Sequence, residues 1–170
     1  MKTLTLPALL ISIAIPAHAE TALDPDALAA AFPPASEGFT RSEPEYEVAP
    51  SYAGEKGKSI AHYTPAGGGM NGFEATLYFA DLGLQGGKMY QEFGADYLKG
   101  TVSNETQKSI TVKGLPGLVT DMGYDQWQVE TFLPPRLHVT ASCRNATQQE
   151  CSAFFDQVDL APLKMLSETR

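Results

Sequence analysis

The chain holds few of the residues on which reactive chemistry is usually built. Its 170 residues include two cysteines and three histidines, and one histidine, His18, falls within the first nineteen residues. No Gly-x-Ser-x-Gly occurs, so an exposed serine nucleophile on a strand-to-helix elbow has no sequence support. His-Glu-x-x-His and the other zinc spacings are absent, as is the Gly-x-x-x-x-Gly-Lys-Ser/Thr of a phosphate loop. Basic residues number 12 against 20 acidic ones and are not clustered. That balance lacks the electrostatic footprint of a nucleic-acid binder, and it is repelled by anionic lipid surfaces. No apolar run reaches the roughly 20 residues needed to cross a bilayer as a helix. These absences leave no catalytic residue, cofactor or metal ligand to name, and they exclude nucleic acid and a membrane span from the expected partners.

What is present begins with the first residues. Lys2 supplies one positive charge, Leu4 to Ile15 is an apolar stretch of about a dozen residues, and Pro16 breaks it. Ala17-His18-Ala19 then places small residues at the two positions a signal peptidase reads, so cleavage is expected between Ala19 and Glu20. A buried helix of a folded domain is the rival reading, and the small-x-small site after a helix breaker argues against it. Removing residues 1–19 takes away Lys2 and no carboxylate, moving the formal charge from −8 to −9. The sequence therefore predicts a soluble, acidic protein that is periplasmic or secreted. Residues 20–170 suit one domain, and a chain of that size buries about 68–70% of its unfolded surface.

Export makes the two cysteines readable. Cys143 and Cys151 enclose a short loop, and in an oxidising compartment an even count reads as a structural disulfide. Closing so short a loop contributes about 2.5 kcal/mol in the chain-entropy model. The spacing suits neither zinc nor a Cys-x-x-Cys redox pair.

Along the chain, Asp24 can cap a short helix with Pro25 in its first turn, and Pro33-Pro34 ends it. A Pro-rich arm follows to residue 57. Within it Glu43, Glu45 and Glu47 alternate with Pro44, Tyr46 and Val48, which in an extended chain puts the carboxylates on one face. They are either an acidic contact for a cation or partner, or the charged guard of an edge strand; Pro44 favours the guard. Lys58–Tyr63 and Phe73–Leu82 read as strands around Gly67-Gly68-Gly69, a hairpin loop whose glycines would also admit a ligand closely. Met89, Phe93 and Tyr97 recur at helical spacing between Lys88 and Lys99, with Gly100 as the stop. That stripe reads as core contact rather than a cofactor box.

The remainder is strand-like. Thr106–Lys113, Leu118–Met122, Gln126–Leu133 and Arg136–Ser142 are separated by turn signals at Gly114-Leu115-Pro116-Gly117, Gly123-Tyr124-Asp125 and Pro134-Pro135, the pattern of an antiparallel meander. Glu150–Leu160 reads as a helix capped by Asn145 or Thr147 and broken at Pro162. The expected fold is α+β: an antiparallel sheet of about five to seven strands packed against a central helix and a C-terminal helix, with a short N-terminal helix. The expected divisions are a signal peptide at 1–19, a helix and arm at 20–57, and one α+β domain at 58–170 on which the arm packs. The two histidines after the signal segment, His62 and His138, lie in strands, where a polar solvent-facing position explains each as well as catalysis does.

This order of elements resembles the α+β sandwich of the PsbP/Mog1/LpqN-type domains. Val112-Lys113-Gly114-Leu115-Pro116-Gly117 and Phe155-Asp156-Gln157-Val158-Asp159-Leu160 are similar to segments of such small exported proteins. The resemblance implies an accessory or binding protein and carries over no site residue. The expectation is thus a non-enzymatic envelope protein that binds another protein or a small ligand on one sheet face. A small hydrolase-type enzyme with a carboxylate or histidine site, and an inhibitor or chaperone-like module contacting its partner through the Gly-rich loop, are the rivals.

Overall fold

The computed structural model describes residues 21–48, 56–67, 72–94 and 96–169. The expected signal segment with its Ala19–Glu20 bond lies outside the described residues, as do Gly68 and Gly69 of the Gly-rich loop. The chain is α+β, with one antiparallel sheet. Its strands are β1 (Phe39–Arg41), β2 (Glu45–Glu47), β3 (Gly57–Pro65), β4 (Glu74–Asp81), β5 (Gln107–Val112), β6 (Leu115–Gly123), β7 (Gln126–Leu133) and β8 (Leu137–Arg144). The order is β1-β3-β4-β8-β7-β6-β5, with β2 also on β3. Among the described residues eight strands exceed the five to seven expected, because the Pro-rich arm itself supplies two. Residues 42–44, including Pro44, interrupt that edge, leaving β1 on one half of β3 and β2 on the other.

The two-residue period of a strand gives the sheet two different faces. Ala75, Leu77 and Phe79 of β4 lie in register with Cys143, Ala141 and Val139 of β8, and Ala141 with Val129 of β7. All are buried, and they form the main core with helices α1 (Pro25–Ala30), α3 (Gln148–Phe155) and α4 (Leu160–Ser167). Leu28 of α1, Cys151, Phe154 and Phe155 of α3, and Leu160 and Leu163 of α4 are the apolar side chains those helices bury. Phe32, just after α1, stacks on Phe79 with centroids 4.1 Å apart. Cys143 and Cys151 are bonded, with Cα atoms 5.7 Å apart, so β8 is tied directly to α3.

The opposite face is covered over β6, β7 and β8 by residues 83–99. Helix α2 (Gly83–Met89), a π-helical turn (Tyr90–Gly94) and a 3-10 turn (Asp96–Lys99) replace the single amphipathic helix expected over 88–99. Of the expected stripe Tyr97 is buried, but Met89 is 55% exposed and its neighbour Tyr90 faces the sheet in its place; Tyr90 and Tyr97 pack with Leu118 and Phe132. The wider π turn rotates the chain past the position that a regular 3.6-residue period implies. Gly87 lets α2 touch the Pro134-Pro135 turn, because a Cβ there would sit 1.9 Å from the Pro135 carbonyl oxygen.

Two other boundaries differ. The β5–β6 turn is Lys113-Gly114, both with positive φ, and Leu115-Pro116-Gly117 already belongs to β6. Pro116 is tolerated because the β6–β7 register starts at Gly117, so no bond to β7 is lost. The expected helix over 150–160 is two helices. Thr147 caps α3 in a capping box with Glu150, and Asp159 restarts the chain as the cap of α4. Pro162 therefore sits in the first turn of α4, where its missing N–H is harmless, rather than ending a helix. Among the described residues, no helix is long and apolar enough to cross a membrane.

Candidate functional site

The structure brings neither His62 and His138 together nor the chain's single tryptophan, Trp127, to either of them. Trp127 is opposite Cys143 and packs against the helix-side core. Both histidines lie on the other face, on the two strands that flank β4. They pair with Thr76 and Ala80, positions four residues apart on β4, or roughly 13 Å along the strand. His62 is exposed, with its Nδ1 3.0 Å from the Thr76 hydroxyl, so its setting is that of a solvated sheet position.

His138 has a richer setting. Its Nε2 lies 3.2 Å from the Tyr90 hydroxyl and 3.7 Å from Glu130 Oε1. Tyr90 is 3.1 Å from the Tyr97 hydroxyl, and Gln128 Nε2 donates to Glu130 Oε2 at 2.6 Å. Residues 83–99 are thereby linked to β7 and β8 through one run of polar atoms. Burial pushes the Tyr90 phenol up to about 12, and a nearby Glu130 charge adds to the rise. Burial drives Tyr97 higher still, with further rises from Tyr90 and Glu130. Both phenols therefore stay protonated at neutral pH and serve as donors rather than as bases or nucleophiles. The Nε2 atom of His138 is thus the ring nitrogen that faces Tyr90 and Glu130.

A concave apolar surface lies on the helix side. A cleft of about 270 Å³ opens between α3 and the start of β1 and β4. Phe39, Phe73, Ala153 and Phe154 make its apolar walls, and Ser36, Glu150 and Gln157 its rim. Its rings meet edge-on or tilted: Phe39 and Phe73 at 5.7 Å, Phe73 and Phe154 at 5.8 Å, Phe154 and Tyr63 at 5.0 Å. The back is held rigidly. The Tyr63 hydroxyl donates to the Pro33 carbonyl at 2.8 Å, and Arg41 Nη1 donates to the Phe32 and Pro33 carbonyls at 2.9 and 3.1 Å. Burial raises the Tyr63 phenol to about 12, although Arg41 pulls the other way. At the rim, hydrogen bonds from Thr147 lower the pKa of Glu150, so this edge keeps a negative charge.

The other sequence candidates sit apart from both places. Glu45 and Glu47 are exposed on the edge strand β2, and Glu47 pairs with Lys58 at 3.1 Å, as a guarded edge would. Glu43 is exposed between β1 and β2, and Gly67 is exposed with open space around it. Sequence reasoning missed the cleft because Phe39, Phe73 and Phe154 come from three distant segments. It also missed Asp81 and Arg136, an ion pair with both side chains 1% exposed. A signal for Asp81 existed: it shares strand parity with Ala75, Leu77 and Phe79, and an acid on a core face demands a buried partner. Among the described residues, no three His, Cys, Asp or Glu side chains form a metal site. No family model, no curated protein and no solved structure matches this chain.

Proposed function

We propose that the chain is an exported, non-catalytic binding protein of the bacterial envelope, and that it holds one ring-sized apolar group in the Phe39–Phe73–Phe154 cleft. The observation that carries this reading is the cleft: an open apolar hollow with a fixed back wall and a polar rim. Ligand sites are of this kind, concave and apolar with a few polar groups at the margin. At about 270 Å³ it is smaller than most drug-sized sites. A dry cavity of roughly 150 Å³ suffices for benzene, so the space suits one aromatic or branched aliphatic group. That group belongs either to a small ligand or to a side chain of a partner polypeptide. Residues 1–19 act as the cleaved export signal, and the resemblance to PsbP/Mog1/LpqN-type domains agrees with an accessory role.

The test is a titration followed by NMR. Indole and phenol are the small-molecule probes, and a Trp-containing tripeptide blocked at both ends is the polypeptide probe. The Ala153 methyl and the Phe39, Phe73 and Phe154 ring signals should move together with either source. Ala153→Leu, which fills the hollow from an exposed helix position, should weaken binding at least tenfold without lowering stability. Probes that leave those signals still would remove the reading. The enzyme reading would replace it if the purified protein turned over a substrate and His138→Ala abolished the turnover.

A further inference from the structure

The most unusual polar feature of the molecule is far from the cleft. Asp81 ends β4 on the core face, and Arg136 follows the Pro134-Pro135 turn. Arg136 Nε and Nη2 donate to Asp81 Oδ1 and Oδ2 at 2.7 and 2.6 Å, a two-pronged pair buried on both sides. Burying such a pair is costly unless further hydrogen bonds satisfy its remaining atoms. Asp81 Oδ1 also accepts from the Gly83 amide at 2.9 Å. Two more partners come from the first described residues of the chain. The Leu23 amide donates to Asp81 Oδ2 at 2.8 Å, and Arg136 Nη2 donates to the Thr21 carbonyl at 2.9 Å. Leu23 itself is buried.

The contacts to Thr21 and Leu23 are to backbone atoms, so the pair recognises an extended chain rather than particular side chains. The Ser167 hydroxyl of α4 accepts from the Arg136 amide and donates to the Leu133 carbonyl, which brings the last helix to the same point. One residue, Glu20, separates the held Thr21 from the bond expected to be cut after Ala19. Proteolysis acts on chain free of such bonding. Backbone atoms engaged by Asp81 and Arg136 are not free to lie in a protease groove.

We propose that Thr21–Leu23 is a clasp that closes over the buried Asp81–Arg136 pair, and that the chain is cut after residue 19 only while this clasp is open. The second half rests on the reading of residues 1–19 as a removed signal; the first half does not. Cleavage then precedes the last step of folding, and a clasp that closes early protects the precursor from processing.

The clasp is tested with four chains, beginning at Glu20 or at Asp24, each with the native pair or with Asp81→Asn and Arg136→Met together. Loss of residues 20–23 should shift the unfolding equilibrium at least tenfold more in the native background than in the double variant. The Leu23 side chain is lost in both, so its contribution cancels. Equal shifts overturn the clasp. If the double variant does not fold, amide exchange in the native chain decides. A Leu23 amide as slow as those of β4 supports the clasp, and one as fast as a free terminus overturns it. The order of events is tested by placing a polar extension and a site-specific protease site before Glu20. Cutting should be at least tenfold slower than in the same chain with ten added residues between the site and Glu20. Equal rates overturn the ordering and leave the clasp to be judged by the four chains.

Discussion

Gly87→Ala separates two opposed effects of known size. In an isolated helix the change is favourable, because Ala exceeds Gly in helix propensity by about 1 kcal/mol. Here the added Cβ would meet the Pro135 carbonyl oxygen at 1.9 Å and Arg136 Cα and Pro135 C at 2.9 Å. All three are backbone atoms, and real Cβ contacts do not fall below 3.0 Å, so α2 or the turn must move by about 1 Å. Overpacking of this kind costs about 1–3 kcal/mol, and rigid backbone on the receiving side puts the cost at the upper end. The net expectation is a loss of about 2 kcal/mol, or a fall of about 4–8 °C in Tm for a chain of this length. The displacement also has a local signature. The Tyr90 amide bonds to the Gly86 and Gly87 carbonyls, so moving α2 carries Tyr90 away from His138. Urea unfolding measures the first effect, and the His138 ring signals in NMR report the second. A variant as stable as the parent, or more so, with unchanged His138 signals would refute the close approach of α2 to the turn.

Two further predictions are independent of that contact. Replacing Cys143 and Cys151 by Ser together should cost about 2.5 kcal/mol, read as a lower urea midpoint, because an unfolded chain without the bond regains loop freedom; an unchanged midpoint would mean that the bond does not constrain the unfolded chain. At high pH the phenols of Tyr63 and Tyr90 should control stability. Their folded pKa values, about 12, lie above the ordinary 10.0, so their contribution is complete below pH 10 and is lost as pH rises towards 12. Midpoints should fall across that window while phenolate absorbance rises with unfolding, and Tyr90→Phe should flatten part of the fall. A flat midpoint from pH 10 to 12 would show that these rings are not buried as described.

Much of the sheet was legible in the sequence for a local reason. Alternation in Gln126–Leu133 and Leu137–Ser142 states which residues share a face, and short turn signals make successive strands antiparallel neighbours. Register in both strands follows that pattern, and so does burial in β8 except at Thr140; in β7 the run Val129–Leu133 is buried on both faces, because residues of the 83–99 segment cover the second one. The spacing of Cys143 and Cys151 likewise lies within one strand-to-helix connection. The 83–99 segment was harder to read, because a π turn changes the period on which helical reading depends.

By itself, then, the sequence determined the class of fold, the strand parities, the meander order β5-β6-β7-β8 and the pairing of the cysteines, since each rests on residues a few positions apart. Only the tertiary structure decided the rest. It joined β4 to β8, closing the first hairpin onto the meander. It brought Phe39, Phe73 and Phe154 together as a cleft, and it placed Asp81 against Arg136 with Thr21 and Leu23 over them. These contacts join segments tens of residues apart. No local periodicity encodes such a meeting, because it is the burial of a shared core that selects it.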